Sequence, residues 1–341
     1  EFDLAESMDL SDDGTTYTFK IKPDLKFASG NPVNADAFIA SWQRALDPAN
    51  PSPMADFMAL VAGYDDYLAG VSTDIGFAKI DDSTVSITLN DVYTYFPSML
   101  AAFVWSVVDP AVLEQLGDDE FVLGGAGTGP WQFSDFDPSS QLVMKPNPNY
   151  WGGNSPSLSE LTWLFLTGPD AASTALDMYK QGEAISADVP LSLLETVTGD
   201  STLSSQLVKI SPQGSVRAIG MDFAQPPFDD VRVRRAVALS IDHDNWANQI
   251  WEGTWAPGTS FSPPVLTTIA NYTPPQGIGF KPENAKELLA DAGFVDGQGL
   301  PTITYFQPAE DSDSDKARDA ALLAMIKQNS GIDIVHDTSL T

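Results

Sequence analysis

The sequence predicts a mixed α/β protein, and three features of the 341-residue chain support this fold class. Stretches in which apolar and polar residues alternate, as in strands, are interspersed with stretches whose apolar residues recur at helical spacing. The length is sufficient for two or three domains with a sizeable core. Apolar residues make up 43% of the chain, as in soluble globular proteins, and no apolar run approaches the ~20 residues that span a bilayer.

The composition excludes several classes of function. The chain has 47 acidic and 17 basic residues, for a formal net charge of −30. The acids are spread along the sequence, which indicates a solvated acidic surface that repels nucleic acid and anionic membranes. Such a surface suits a salty habitat or a cell-surface location. The absence of cysteine excludes disulfides and thiolate chemistry and is compatible with export. Because residue 1 is Glu, we expect that any targeting segment has been removed or was never part of this sequence.

The N-terminal third alternates between strand and helix signals. Residues 15–21 (TTYTFKI) alternate with β-branched and aromatic side chains and predict a strand. A turn follows, and Asn34 is then expected to cap a helix whose apolar face carries Phe38, Trp42 and Ala45. Residues 78–89 predict a hairpin with two aspartates at its turn.

Two apolar runs predict buried segments in the middle of the chain. Residues 99–108 (MLAAFVWSVV) are nearly all apolar, which predicts that they are buried or face a cleft. Residues 161–166 (LTWLFL) predict a buried strand, and residues 170–182 predict a helix that ends at Gly182.

Residues 127–153 (GTGPWQFSDFDPSSQLVMKPNPNYWGG) predict a β-hairpin followed by a break in regular structure. An alternating strand, a turn rich in Asp, Pro and Ser, and a return strand lead into Asn-Pro-Asn-Tyr-Trp-Gly-Gly. Tyr150 and Trp151 are expected to pin a corner of the fold against a core, because buried aromatic rings usually serve packing.

The C-terminal part begins with a second distinctive stretch, residues 225–242 (QPPFDDVRVRRAVALSID). Asp230 is expected to cap a helix there. Its three arginines at positions 232, 234 and 235 predict structural ion pairs in an acidic protein rather than an anion site. Further helices are predicted over residues 281–293 and 316–329, and a strand begins within residues 331–335.

Motifs of cofactor and catalytic chemistry do not emerge from the sequence. His243 and His336 stand far apart, so a paired-histidine metal site is not predicted. Phosphate-loop, dinucleotide-binding and nucleophile-elbow patterns are absent. Residues 311–316 (DSDSDK) start like a calcium loop but place lysine where that loop needs glycine. Cofactors, metal ligands and catalytic residues are therefore not predicted. Spacing alone does not exclude a pair of carboxylates of the kind that hydrolyses glycosides.

The motifs in residues 26–48, 127–153 and 225–242 resemble those of the extracellular solute-binding proteins of ABC importers, family 5. This family captures oligopeptides, dipeptides and nickel. The Ser-Trp-Gln-Arg step at residues 41–44 is most similar to the oligopeptide-binding members. The resemblance extends over nearly the whole chain, with several motifs in the family's order.

The resemblance implies a periplasmic-binding-protein-like fold (type II, cluster C), which has two lobes and an extra domain. Residues 1–108 would form the extra domain, residues 109–214 part of the first lobe, and residues 215–341 the N-terminal part of the other lobe. We expect the chain to be truncated at both ends. The acid with which the family's oligopeptide binders hold the peptide amine would lie in the absent C-terminal part.

The function that the resemblance implies is capture without catalysis. Two lobes would close over a peptide and deliver it to the membrane permease of an ABC importer. The protein would be a monomer in the periplasm or outside the cell, anchored at the cell surface. A lipoprotein anchor is one option for that attachment.

Seven residues are candidates for ligand contact: Met54, Phe103, Val104, Trp105, Arg217, Gly220 and Trp251. Phe103 and Trp105 fit an ordinary core equally well. Arg217 is an isolated cation between hydrophobic residues, placed to meet a carboxylate of the ligand or of the protein itself.

Two departures from the family pattern leave room for ligands besides peptides. Met54 stands where oligopeptide binders have an aromatic residue. Trp246, Trp251 and Trp255 crowd a region where those binders carry a basic residue. Stacked aromatics would equally suit an oligosaccharide. Nickel binding is less favoured, because the sequence has no cluster of His or Cys residues. A carboxylate-dependent hydrolase and an adhesion or signalling receptor are candidates from different functional classes.

Overall fold

The structure is a computed structural model that describes residues 3–153, 156–168, 170–208, 214–263, 266, 272–273, 275–308 and 313–340. The chain divides into two compact units, Glu1–Ala187 (unit 1) and Asp188–Thr341 (unit 2). The finer division predicted from the sequence, with boundaries after residues 108 and 214, stays a prediction.

Three sheets are present in the described part of the chain. Unit 1 has an antiparallel sheet of order β1-β2-β4-β3, formed by β1 (Ala5–Leu10), β2 (Thr16–Ile21), β3 (Phe77–Asp81) and β4 (Thr84–Thr88). Its second antiparallel sheet has the order β5-β6-β7, with β5 (Trp131–Asp137), β6 (Gln141–Pro146) and β7 (Leu161–Leu164). Unit 2 contains a parallel pair, β8 (Ile303–Pro308) and β9 (Ile334–Leu340).

Helices connect these strands. Those of unit 1 are α1 (Ala35–Ala45), α2 (Tyr64–Leu68), α3 (Phe96–Met99), α4 (Pro110–Glu120) and α5 (Ala171–Gln181). Those of unit 2 are α6 (Leu191–Gly199), α7 (Ser201–Gln206), α8 (Val231–Leu239), α9 (His243–Asn245), α10 (Pro282–Asp291) and α11 (Asp313–Ser330). Short 3₁₀ turns span Ala55–Met58, Phe103–Trp105, Phe121–Gly124 and Val295–Gly297, and a π-helical turn spans Trp246–Ile250.

Three helix boundaries predicted from the sequence are confirmed. The side chain of Asn34 accepts a hydrogen bond from the backbone N–H of Ala37 at 3.1 Å, at the start of α1. Asp230 does the same for Arg232 at 2.8 Å, at the start of α8. Gly182 ends α5 with φ of 77°, a left-handed conformation that glycine adopts without steric cost.

The core of unit 1 forms around aromatic rings of α1 and the first sheet. Trp42 packs against Phe77 and Trp105, with ring centroids 5.3 and 5.8 Å apart. Its indole Nε1 donates to the carbonyl oxygen of Trp105 at 3.1 Å, so the buried polar atom is satisfied. Tyr17 and Phe19 of β2 pack in the same core.

The predicted hairpin over residues 127–153 is confirmed as β5 and β6. The motif after it forms side-chain hydrogen bonds to two earlier segments of unit 1. The amide of Asn147 donates to the carbonyl of Gly129 at 2.8 Å. The amide of Asn149 donates to the carbonyls of Phe27 and Ala28, both at 3.2 Å. Trp151 packs against the core of unit 1, as expected for a corner aromatic.

The strand predicted within residues 161–166 is confirmed over Leu161–Leu164, but the prediction that it is buried is wrong. In the described part of the chain, β7 is one of the two edge strands of its sheet and pairs with β6. Most of the apolar side chains of this run are exposed, with Trp163 at 56%. An apolar run predicts burial only where a second layer covers the strand.

The core of unit 2 joins three helices and supports the site described below. It is formed by Val233, Ala236, Val237, Ala285, Leu289, Ile303, Leu322, Leu323, Ile326 and Ile332. These residues come from α8, α10, β8, α11 and the start of the segment that leads into β9. The helix predicted over residues 281–293 is confirmed as α10, which buries Ala285 and Leu289 in this core.

Candidate functional site

A cavity of about 500 Å³ lies within unit 2. Its walls come from the stretch around Arg217, one side of α8, the segment between His243 and Pro263, Tyr305 of β8, and two residues of α11, Asp319 and Leu322. The volume falls in the range of small-molecule sites, about 300–1,000 Å³. Two of the seven residues predicted from the sequence, Arg217 and Trp251, meet at this cavity.

An ion pair forms the polar wall of the cavity. Nη2 of Arg217 lies 3.1 Å from both carboxylate oxygens of Asp319, and the hydroxyl of Tyr305 donates to the same carboxylate at 2.8 Å. Asp319 is 1% exposed, whereas the side chain of Arg217 is 36% exposed. Burial and the hydrogen bond to Asp319 raise the pKa of Tyr305 to about 12, so its hydroxyl remains a donor at neutral pH. The wall therefore carries two opposite charges that compensate each other.

Trp251 stands at the centre of an aromatic and cationic cluster. The guanidinium carbons of Arg217 and Arg318 lie 4.9 and 4.5 Å from its ring centroid. Trp246 and Trp255 meet it edge-on, each with ring centroids 6.1 Å away. Cation–π contacts of this kind favour the charged guanidinium over the ring face. The Trp251 ring is therefore covered by two arginines and two tryptophans of the protein itself.

This wall and the residue that follows it combine unusual backbone with buried polar atoms that lack a described partner. Trp246–Ile250 is a π-helical turn, a form found often at functional sites. Glu252, which follows it closely, has a positive φ of 49°. Trp251 Nε1 and His243 Nε2 are buried with no hydrogen-bond partner among the described residues. Unsatisfied atoms and unusual backbone together are features that binding sites retain at a cost in stability.

His243 is expected to be neutral at pH 7. Burial lowers the pKa of its imidazole, and the neighbouring charges of Asp242 and Asp244 oppose that shift without cancelling it. Because the folded-state pKa lies below the unfolded value of about 6.5, stability is fully present above that pH and falls as the pH drops below it.

The titration can be read directly by proton NMR, since the chain has two histidines. A His336→Gln variant leaves one imidazole signal, and we expect that signal to titrate below pH 6.5. A midpoint at or above 6.5 would contradict the buried environment that the structure gives His243.

The remaining predicted site residues are not among the residues that line this cavity. Val104 and Trp105 are buried in the core of unit 1, and Met54 packs against that core. Gly220 is exposed, beside cavity-lining residues. Their part in ligand binding stays a prediction.

Within the run 99–108, predicted to be buried or to face a cleft, Phe103 is not buried, and its facing a cleft stays a prediction. Its side chain is 77% exposed, although Val104 and Trp105 are buried. All three lie in one 3₁₀ turn, in which successive side chains point about 120° apart. One of three neighbouring apolar residues must therefore face outward.

Sequence reasoning did not single out Asp319, and it treated Tyr305 only as part of a strand. Asp319 stands 102 residues after its partner Arg217. Isolated acids are common in this chain, so the sequence holds no local signal for the pair. The single useful signal was the isolated cation itself.

The arginine cluster of residues 232–235 has mainly structural contacts. Arg232 pairs with Asp230 and donates to the backbone carbonyl of Asp291 at 2.6 Å. Arg234 donates to the carbonyls of Phe228 and Asp229. The structural interpretation is confirmed for Arg232, and Arg234 binds backbone carbonyls instead of an acid.

Neither a metal cluster nor a membrane-spanning helix is found in the part of the chain that the structure describes. Groups of three or more His, Asp or Glu side chains able to hold a metal ion are absent there. Asp311 of the calcium-like stretch lies outside the described residues. Among the described helices, none combines the length and hydropathy needed to cross a bilayer.

Comparison with known proteins places these observations in context. The family model for bacterial extracellular solute-binding proteins, family 5 (middle part), matches residues 1–337. The periplasmic oligopeptide-binding protein OppA of Escherichia coli K12 is 30% identical over 97% of this chain and 61% of its own length. The glutathione-binding protein GsiB of the same strain is 31% identical over 86% of this chain and 53% of its own length.

A solved structure confirms the predicted fold class. The murein tripeptide binding protein MppA of Escherichia coli aligns with a TM-score of 0.79 and 26% identity, over 99% of this chain and 66% of that protein. The mixed α/β fold of the periplasmic binding proteins is therefore shown. The chain spans about 53–61% of the length of the two curated relatives.

Proposed function

Because the chain belongs to family 5 of the bacterial extracellular solute-binding proteins, as its motifs predicted, we propose that it captures peptides and delivers them to the permease of an ABC importer. The relatives named above bind oligopeptides, glutathione and a murein tripeptide. They are binding proteins, which supports capture without catalysis. Capture in a cleft between two lobes remains part of the proposal.

The observation that favours a peptide over an oligosaccharide is the enclosure of Trp251. Sugar binding by stacking requires an aromatic face that is open to the ligand. Trp251 is 8% exposed, and two guanidinium groups already lie over its ring. Of the three tryptophans that suggested a sugar from the sequence, Trp246 and Trp255 thus pack edge-on against Trp251, whose ring lies under the protein's own cations.

A hydrolase function finds less support than capture. The named relatives are binding proteins, so hydrolysis rests only on unassigned carboxylates. Among the described residues that line the cavity, Asp319 is the one carboxylate, and it is held by Arg217 and Tyr305. We propose a monomeric protein that works outside the cytoplasmic membrane, as the word periplasmic in the name of its OppA relative suggests.

Calorimetric titration tests this proposal. We expect saturable heat with a mixture of short peptides and none with a mixture of short oligosaccharides of equal concentration. Chromatography of the peptides after incubation should recover them intact, because a binding protein returns its ligand unchanged. Saturable binding of the oligosaccharides alone, or cleavage of the peptides, would overturn the proposal.

A further inference from the structure

The cavity of unit 2 has a wall chemistry that suits one type of side chain. Most of its lining is apolar, and Trp255 and Phe261 contribute aromatic rings to it. Phe261 is highly exposed for a ring of its size. Exposed aromatic rings gain free energy from contact with another ring beyond the burial of area alone.

The charges in the wall disfavour an ionised guest. Asp319 already holds Arg217, so a second carboxylate would have to share that single guanidinium group. A cationic guest would meet Arg217 and, over Trp251, the nearby Arg318. The imidazole of His243 is neutral near pH 7. A charge that enters such a cavity leaves water without gaining a free partner, which is unfavourable.

We infer that this cavity is a pocket for a large, uncharged aromatic side chain of a bound peptide, so that the protein prefers peptides that carry one. The inference rests on the proposed peptide-binding function. The volume of about 500 Å³ admits a phenylalanine or tryptophan side chain together with water.

A tripeptide series tests the preference on the unaltered chain. Affinities are measured by calorimetry for Ala-Ala-Ala, Ala-Phe-Ala, Ala-Trp-Ala, Ala-Lys-Ala and Ala-Glu-Ala, and for the same peptides with the varied residue placed first or last. In at least one position, we expect the aromatic peptides to bind about tenfold or more tightly than trialanine, from the burial of one large side chain. Lysine and glutamate peptides should bind no more tightly than trialanine.

A matched pair of variants locates the effect. Ala238 is a half-buried residue of α8 that lines the cavity, and Ala290 is an exposed residue of α10 that does not. Ala238→Leu should fill part of the pocket and reduce the aromatic preference to about threefold or less, from the area it occupies. Ala290→Leu should keep the full preference. Far-UV circular dichroism checks that both variants fold.

The outcomes separate the two claims. If none of the tripeptides binds the unaltered chain, the proposed function and this inference both fail. If peptides bind but phenylalanine and tryptophan confer no preference in any position, or if folded Ala238→Leu keeps the preference intact, the inference fails and peptide capture stands.

Discussion

Arg217→Ala is expected to lower the free energy of unfolding of unit 2 by about 3 kcal/mol, the lower end of the range for breaking a buried ion pair. The substitution removes the guanidinium partner of the Asp319 carboxylate. Asp319 is 1% exposed, and the Tyr305 hydroxyl is then the one described hydrogen-bond donor left to it. The lower end applies because Arg217 itself is partly exposed. Urea unfolding followed by far-UV circular dichroism measures the change.

A double variant provides the control. Arg217→Ala combined with Asp319→Asn removes both charges, so no uncompensated carboxylate remains buried. We expect the double variant to be more stable than the sum of the two single variants predicts, since the residues are in direct contact. Strict additivity, or a cost of Arg217→Ala below about 1 kcal/mol, would contradict the role of this pair as a compensated buried charge.

The second large effect is expected at Asp109 in unit 1. Its carboxylate is buried and caps α4 by accepting from the backbone N–H of Ala111 at 3.0 Å. It also accepts from Ser29 Oγ at 2.6 Å and from Asn31 Nδ2 at 2.8 Å. Asp109→Ala should cost about 2–3 kcal/mol: about 1 kcal/mol for the lost cap, and about 1–2 kcal/mol for the hydrogen bonds from Ser29 and Asn31, which are exposed and can bond to water instead. Urea unfolding of unit 1 measures this cost.

Asp200 offers a matched comparison, because it caps α7 through the backbone N–H groups of Thr202 and Leu203 at the surface. Asp200→Ala should cost only the cap, about 1 kcal/mol. The additional loss of unfolding free energy at Asp109 then measures the hydrogen bonds to the turn that carries Ser29 and Asn31. Equal costs at the two positions would show that these hydrogen bonds contribute nothing to stability.

Local signals account for what the sequence predicted well. Asn34 and Asp230 were identified as caps because a cap needs only a suitable side chain two or three residues before the N–H that it binds. The hairpin of β5 and β6 was predictable for the same reason, since alternation and turn residues lie within one short stretch.

Long-range packing accounts for what the sequence did not reveal. The pairing of Arg217 with Asp319 joins residues 102 positions apart in a chain rich in acids, and composition offers no reason to select that acid. The exposure of Phe103 and of Trp163 depends on which layer covers each segment. An apolar pattern alone does not specify that layer.

Native mass spectrometry tests the central claim of peptide capture most directly. Protein purified without refolding is measured intact, then denatured, and the released small molecules are identified. We predict a mixture of short peptides, enriched in sequences with phenylalanine, tyrosine or tryptophan. Release of oligosaccharides without peptides would contradict peptide capture.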